Sequence, residues 1–300
     1  MKKTKYIDLI SDYGFKRVFS SEPNKDLLID FINALFKGRK TIVDLVYDKN
    51  ESVGDTDELG TVILDLLCTG DKGEKFVVEV QTSPQFNFKR RMLYYGSKLI
   101  ADQAPKGNRR DWNYQISEVY VIVLMDGFRF SGSGGRSHVL HDICLCYRDT
   151  GKVFYEDMGY MFIELVNFTK REDELDSNLD AWLFVLKNMS RLDKIPLYLR
   201  KPVFQKLFRI AEYSRLNKEE KKMYDISLKR KWDAQGALTY AEEKGRKEGL
   251  QKGREEGLQK GREEEKRASA QRMLEKGFEA GEISDVLGLP VEEIEKLKNT

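Results

Sequence analysis

Cysteine is scarce in these 300 residues: Cys68, Cys144 and Cys146 are the whole supply, an odd number with no Cys-x-x-Cys pair. That argues against a disulfide framework and reads as a reduced, cytoplasmic chain. Long apolar runs are missing too. The cleanest one in the body, Val119 to Met125, falls far short of the ~20 residues that span a bilayer, so no membrane partner is expected. No apolar stretch of signal-peptide length follows Met1-Lys2-Lys3, which predicts a chain that is not exported. Nor does charge of one sign dominate: 52 Lys and Arg face 50 Asp and Glu, a net charge of +2. Any affinity for a polyanion must therefore come from local patches. His138 and His141 are the sole histidines. With Cys144 and Cys146 they can be drawn as a zinc set, but the spacing fits no structural zinc pattern. Ser131 to Ser137 is Gly-rich but lacks the Gly-Lys-Ser/Thr ending of a phosphate loop, and reads as a plain loop.

What is present suits a globular chain: 40% hydrophobic and 11% aromatic residues, with charged residues at 34% against about 25% in an average domain. Leu27, Leu28, Phe31, Ile32, Leu35 and Phe36 have helical spacing over Asn24 to Phe36, and Gly38 would end that helix. Strands are predicted over Thr41–Tyr47, Thr61–Cys68, Lys75–Gln81, Glu118–Met125, Val139–Tyr147 and Met161–Phe168. Phe88 to Ala101 is helical, with Met92, Tyr95 and Leu99 on one face. From Glu172 the pattern turns helical, interrupted near Pro196 and resumed after Pro202.

A repeat follows. Lys244 to Gln251 is nearly copied by Lys252 to Gln259, with a partial third copy from Lys260, and glycine recurs at 245, 249, 253, 257 and 261. In a helix those glycines lie close to one face, each costing roughly 1 kcal/mol relative to Ala. Pairs such as Lys244–Glu248 return only about 0.2–0.5 kcal/mol each. The segment is either a solvated connector or a helix whose bare face packs on a partner helix, which admits self-association through 244–267. In the tail, Met273-Leu274 ends one short helix before Gly277, Ile283–Leu287 makes another, and Val291–Leu297 a last one after Pro290. The outline is that of a helix-turn-helix, but Glu292, Glu293 and Glu295 would meet phosphates badly. A docking or oligomer element is the better fit.

Chemistry concentrates between Thr61 and Gln81. The run Val62-Ile63-Leu64-Asp65-Leu66-Leu67 sets one carboxylate inside an apolar strand, a costly arrangement unless the charge is paired or metal-bound. Asp71-Lys72-Gly73 suits a three-residue turn closed by a left-handed glycine. That turn pairs Gly70 with Glu74, and counting back sets Leu67 opposite Val77 and Asp65 opposite Glu79. Gln81 then shares the face of Glu79. A two-residue turn would move Asp65 to the other face. Two facing carboxylates repel unless one is protonated or a cation lies between them, and Mg²⁺ suits such oxygen donors. Separate pairing of each acid with arginine is the structural alternative.

Asp65 followed by Glu79-Val80-Gln81 resembles the PD-(D/E)XK nuclease signature, with Gln81 in the place of the usual lysine and Leu64 in that of the proline. Other stretches resemble the Rpn branch, recombination-promoting nucleases and transposases: Asp12-Tyr13-Gly14-Phe15-Lys16-Arg17-Val18-Phe19, Arg91 with Tyr94-Tyr95, Ile163-Glu164-Leu165, Trp182-Leu183-Phe184, the glycine repeat and Gly288-Leu289-Pro290. The resemblance implies an α/β fold, a restriction-endonuclease-like mixed sheet flanked by helices and followed by an α-helical C-terminal region. It implies a nuclease domain at 1–168, a helical region at 169–232, a charged repeat helix at 233–267 and a small tail at 268–300. By implication the chain is an Mg²⁺-dependent DNA endonuclease acting on double-stranded DNA, with Asp65, Glu79 and the Val80 carbonyl on the metal and Gln81 on the water. Asp12 is either a third acid near the metal or a helix N-cap. Lys16 and Arg91 are candidates for phosphate contacts, and Tyr94 for lining the cleft. A non-catalytic DNA-binding or assembly protein on the same fold is the alternative, and an RNA-directed nuclease a third.

Overall fold

The computed structural model describes residues 4–48, 51–52, 62–105, 112–130 and 138–298. Its centre is the strand that the sequence marks most clearly. Val119–Met125 (β6) is buried along its whole length because both of its edges and both of its faces are covered. Lys75–Gln81 (β5) pairs parallel with it on one side and Val153–Glu164 (β8) parallel on the other. Leu66–Gly70 (β4) and Leu45–Tyr47 (β1) extend the sheet antiparallel beyond β5, and Leu140–Cys146 (β7) closes the far edge antiparallel to β8. The six-stranded order is β1-β4-β5-β6-β8-β7. Glu51–Ser52 (β2) and Val62–Ile63 (β3) form a separate two-stranded ladder.

The two faces of the sheet feed two apolar clusters. Leu66, Cys68, Phe76, Val78, Ile122, Leu124 and Ile163 point to one face, where Asp12–Phe19 (α1), Lys25–Phe36 (α2), Asn178–Asn188 (α4) and Pro202–Ile210 (α5) supply Phe19, Phe31, Trp182 and Phe204. Leu67, Val77, Val121, Val123 and Phe162 point to the other, where Phe88–Ala101 (α3) covers them with Phe88, Met92 and Leu99. Helices past Phe168 thus share a core with the strands, and Met1–Gly236 is one compact unit. Lys218–Glu275 (α6) begins in that unit and ends in the second, Ala237–Thr300.

Several boundaries depart from the periodicity. Thr41–Asp44 lies outside the sheet, whose strand starts at Leu45. The run predicted from Thr61 is broken at Leu64 and Asp65, because carboxylates there replace ladder bonds, as described below. β8 begins at Val153, eight residues ahead of the predicted Met161. Its first half is largely exposed and mixes Val153, Phe154 and Tyr155 with Glu156 and Asp157, so only its pairing with β7, irregular at Cys144–Cys146, reveals it. The last residues predicted as strand, Leu165–Asn167, make a 3₁₀ turn. Ser131–Ser137 lies outside the described residues.

In the second unit, the short helix expected to end at Met273-Leu274 is the last turn of α6 itself, which runs unbroken to Glu275. Gly277 and Gly288 take left-handed φ of 89° and 64° and separate Ala280–Leu287 (α7) and Val291–Lys298 (α8). Ile283, Leu289 and Ile294 close over Ala270 of α6, and Glu293 pairs with Arg267 at 2.7 Å. The tail therefore docks on the end of the long helix.

Candidate active site

The β4–β5 turn sets the geometry. Gly73 has φ 89°, the Gly73 amide donates to Gly70 O at 3.0 Å, and Gly70 N–H donates to Glu74 O at 2.8 Å. Leu67 faces Val77 and Leu66 faces Val78. The same count sets Asp65 opposite Glu79, as the left-handed glycine requires. Regular pairing stops at Leu66, and side chains take over. Glu79 Oε1 accepts the Asp65 amide at 3.0 Å, while Asp65 Oδ2 accepts the Val80 amide at 2.9 Å. Each acid thus stands in for a carbonyl of the interrupted ladder, which fixes both carboxylates side by side with little freedom.

Their electrostatics follow from that confinement. Glu79 is 6% exposed. Burial, then the neighbouring charge of Asp65, raise its pKa from the ordinary 4.5 to about 7. Burial also raises the Asp65 pKa, opposed by the Val80 amide and by the charges of Lys16 and Arg91.

On the α3 side, Arg91 donates to Gln81 Oε1 at 2.5 Å, and Gln81 Nε2 donates to the Ser83 carbonyl at 2.8 Å. The Gln81 amide is held at both ends. Arg91 lies 5.8 Å from the Tyr95 ring centre, and its buried Nε has no hydrogen-bond partner among the described residues. Burial raises the Tyr95 pKa, with the Glu79 charge as the next cause. Tyr94, on the outer side of the helix, is 47% exposed.

On the other side, the N-cap of α1 is Ser11, whose Oγ accepts Gly14 N–H at 3.1 Å; Asp12 is the first helical residue, which corrects the N-cap option for it. Gly14 is required here, since a Cβ would stand 2.0 Å from the Asp8 carbonyl oxygen. Asp12 pairs with Lys16 at 2.6 Å and lines, with Asp65 and Val80, a cleft of about 220 Å³. Ile10, Ser11, Phe15 and Thr82 line it too, and α6 adds Ser227, Arg230 and Lys231. A wider hollow of about 820 Å³ shares Asp12, Ser227 and Arg230 and adds Lys16 and Arg17. Glu79, Gln81 and Arg91 do not line either hollow; they join the cleft through the Asp65–Glu79 link.

Residues 9–241 match the profile of the PD-(D/E)XK nuclease family transposases. The chain belongs to that family. No curated protein and no solved structure matches it. The mixed sheet with its flanking helices is the restriction-endonuclease-like core of this PD-(D/E)XK chain, and α6–α8 form the C-terminal helical region.

The PD-(D/E)XK match runs beyond the strands into α6, the element whose part in the site was not foreseen. Lys231 is 10% exposed and pairs with Asp8 at 2.8 Å and Asp126 at 2.7 Å. Burial lowers its pKa, but the Asp8 and Asp126 charges outweigh that and raise it. Ser227 Oγ accepts Tyr13 N–H at 3.1 Å, and Tyr224 Oη accepts Asp8 N–H at 2.9 Å. Tyr224, Ser227 and Lys231 recur at spacings of three and four, which is the one signal in the sequence. Two of the three are polar, so the stripe looks solvated.

Divalent cations are generally associated with the PD-(D/E)XK fold. Among the described residues no three His, Cys, Asp or Glu side chains gather as a metal cluster. Two confined carboxylates beside the Val80 backbone are nonetheless hard oxygen donors, and their repulsion is what a dication relieves. His141, by contrast, bonds the fully buried Glu164 at 3.1 Å, and Cys144 and Cys146 lie on the edge strand.

Proposed function

We propose that the chain is a divalent-metal-dependent DNA endonuclease serving recombination or transposition, with its centre at Asp65 and Glu79. The observation that carries this reading is the reciprocal bonding of the two acids across the hairpin, which holds two repelling carboxylates together in a largely buried place. Asp65, Glu79 and the Val80 carbonyl would hold Mg²⁺. When bound, the ion polarises a phosphate oxygen and acidifies a water. Gln81 cannot serve as a base in the way a lysine can. Fixed by Arg91 and Ser83, it orients the attacking water instead. Arg91 braces Gln81 and Gln85 through its two terminal nitrogens, and Lys16 and Arg230 stand at the rim where a strand would pass. Asp12 adds negative charge on the cation side. Tyr94 offers an exposed ring for the DNA flank.

Plasmid nicking tests the assignment. Wild-type protein in Mg²⁺ is expected to relax supercoiled plasmid, and EDTA to stop it. Asp65→Ala should lower the rate at least about 100-fold, since loss of a metal ligand removes several kcal/mol of transition-state stabilisation. Equal cutting by wild type and variant would move the site elsewhere. Intact plasmid with wild type across divalent metals would favour a binding protein on this fold.

A further inference from the structure

Away from the Asp65 cleft, a hollow of about 660 Å³ is lined by Lys5, Lys194, Arg200, Arg209 and Arg215, with Glu212 the one carboxylate among them. Its frame is held by backbone bonds. Ile7 N–H donates to Ala211 O at 2.9 Å, Tyr213 N–H donates to Lys5 O at 2.9 Å, and Tyr6 and Glu212 bridge antiparallel. Tyr6 and Phe208 are buried beneath it, edge to face at 5.0 Å. Glu212 is already engaged, with Arg215 Nε at 3.0 Å and the Ser214 hydroxyl at 2.9 Å; these bonds lower its pKa. Among the described residues, no carboxylate lies within ion-pair distance of Lys5, Lys194, Arg200 or Arg209. Elsewhere in this unit Lys40, Arg17 and Lys231 each face a carboxylate. A rigid concave wall with unbalanced positive charge focuses an attractive field on an anion.

The hollow and the cleft are joined by the segment from Lys5 to Asp12. Asp12 follows Lys5 by seven residues, which caps their Cα separation at about 25 Å. At about 3.4 Å per base pair, that is within one turn of a duplex. We propose that the hollow is a second phosphate site, gripping the backbone of the same DNA within about one helical turn of the strand at the Asp65 cleft. Arginine guanidinium forks match phosphate oxygens bidentately, and Arg200 and Arg209 supply two of them on an edge where Lys194 and Lys5 add point charges. The ligand identity rests on the DNA-cleavage reading, so the test is one of binding rather than cutting.

The full chain in EDTA is titrated against a labelled 30-base-pair duplex over a series of KCl concentrations. Arg200→Glu/Arg209→Glu is compared with wild type and with Lys72→Glu, a reversal of an exposed charge on the β4–β5 turn; circular dichroism and melting check that each is folded. The site predicts at least tenfold weaker binding by the double variant and a salt slope smaller by about 2, one phosphate contact being worth about 0.9. Lys72→Glu should bind as wild type does. Milder Arg200→Ala/Arg209→Ala should shift both readings the same way by a smaller amount. Equal affinity and slope for wild type and the double variant would overturn the proposal, as would an equal loss in Lys72→Glu. A thermal shift of wild type by inorganic phosphate, absent in the double variant while duplex binding is unchanged, would make this a site for a small phosphate compound and overturn the DNA assignment. If the double variant loses duplex binding but wild type never nicks plasmid, the second site stands and the hydrolysis reading falls.

Discussion

Glu79 carries the sharpest consequence of the site's construction. Its folded pKa of about 7 lies above the ordinary 4.5, so between those values the folded state binds more protons than the unfolded one. Stability therefore falls as pH rises through that window, by on the order of 3 kcal/mol across it. The metal-free protein should melt progressively lower from pH 5 to pH 8, and Mg²⁺ should recover the loss at pH 8. Glu79→Gln keeps an acceptor for the Asp65 amide but removes the charge. At pH 8 it should melt at least about 5 °C above metal-free wild type while losing cutting. A lower melting temperature for this variant would mean that Glu79 is held by an opposite charge rather than opposed by a like one. The pairing of Asp65 with Glu79 was legible in the sequence because one glycine decides the hairpin register. The strand break was not, because it depends on side chains substituting for backbone acceptors. Nor was the clamp on Gln81: Arg91 stands ten residues away on the next helix, and no spacing rule links a strand residue to it.

Among the elements, those with a single buried stripe or a uniformly buried run were visible beforehand: α2, α3, β5 and β6. The first half of β8 was hidden because its residues face solvent, and the site-facing part of α6 because its inward residues are Tyr, Ser and Lys. The repeat portion of α6 is a different case. A Cβ built at Gly245, Gly249, Gly253, Gly257 or Gly261 meets nothing within 4 Å, and Leu250 is 69% exposed. Lys244–Glu248 at 3.9 Å and Gln251–Glu255 at 3.0 Å bridge successive turns. No packing among the described residues rewards these glycines, so alanine at 249, 253 and 257 should stabilise the helix by roughly 1 kcal/mol each. Far-UV circular dichroism during a urea melt reads this directly. A loss of helicity on substitution would show that the glycine face is in use between copies of the chain.

At the scale of the molecule, the first part of α6, Lys218 to Gly236, belongs to the same compact unit as the sheet. Lys231 ties α6 both to the segment before α1, through Asp8, and to the end of β6, through Asp126. Lys231→Met should cost about 2–4 kcal/mol, near the lower end of what a broken buried pair costs, because both aspartates retain some solvent contact. Urea unfolding followed by near-UV signals from this unit would measure it. With its pKa raised, Lys231 contributes fully across neutral pH and loses that contribution only as pH climbs through the folded value. A cost below about 1 kcal/mol would place the cohesion of α6 elsewhere.

Calorimetric titration of Mn²⁺ into the full chain at pH 7, in two buffers of different ionisation heat, tests most directly whether Glu79 gives up its proton when the Asp65–Glu79 pair takes a divalent cation. With Glu79 near half-protonated at that pH, wild type should bind one Mn²⁺ and release about half a proton, and Asp65→Ala should show neither. Binding that is unchanged in Asp65→Ala, or that releases no proton in wild type, would contradict the account.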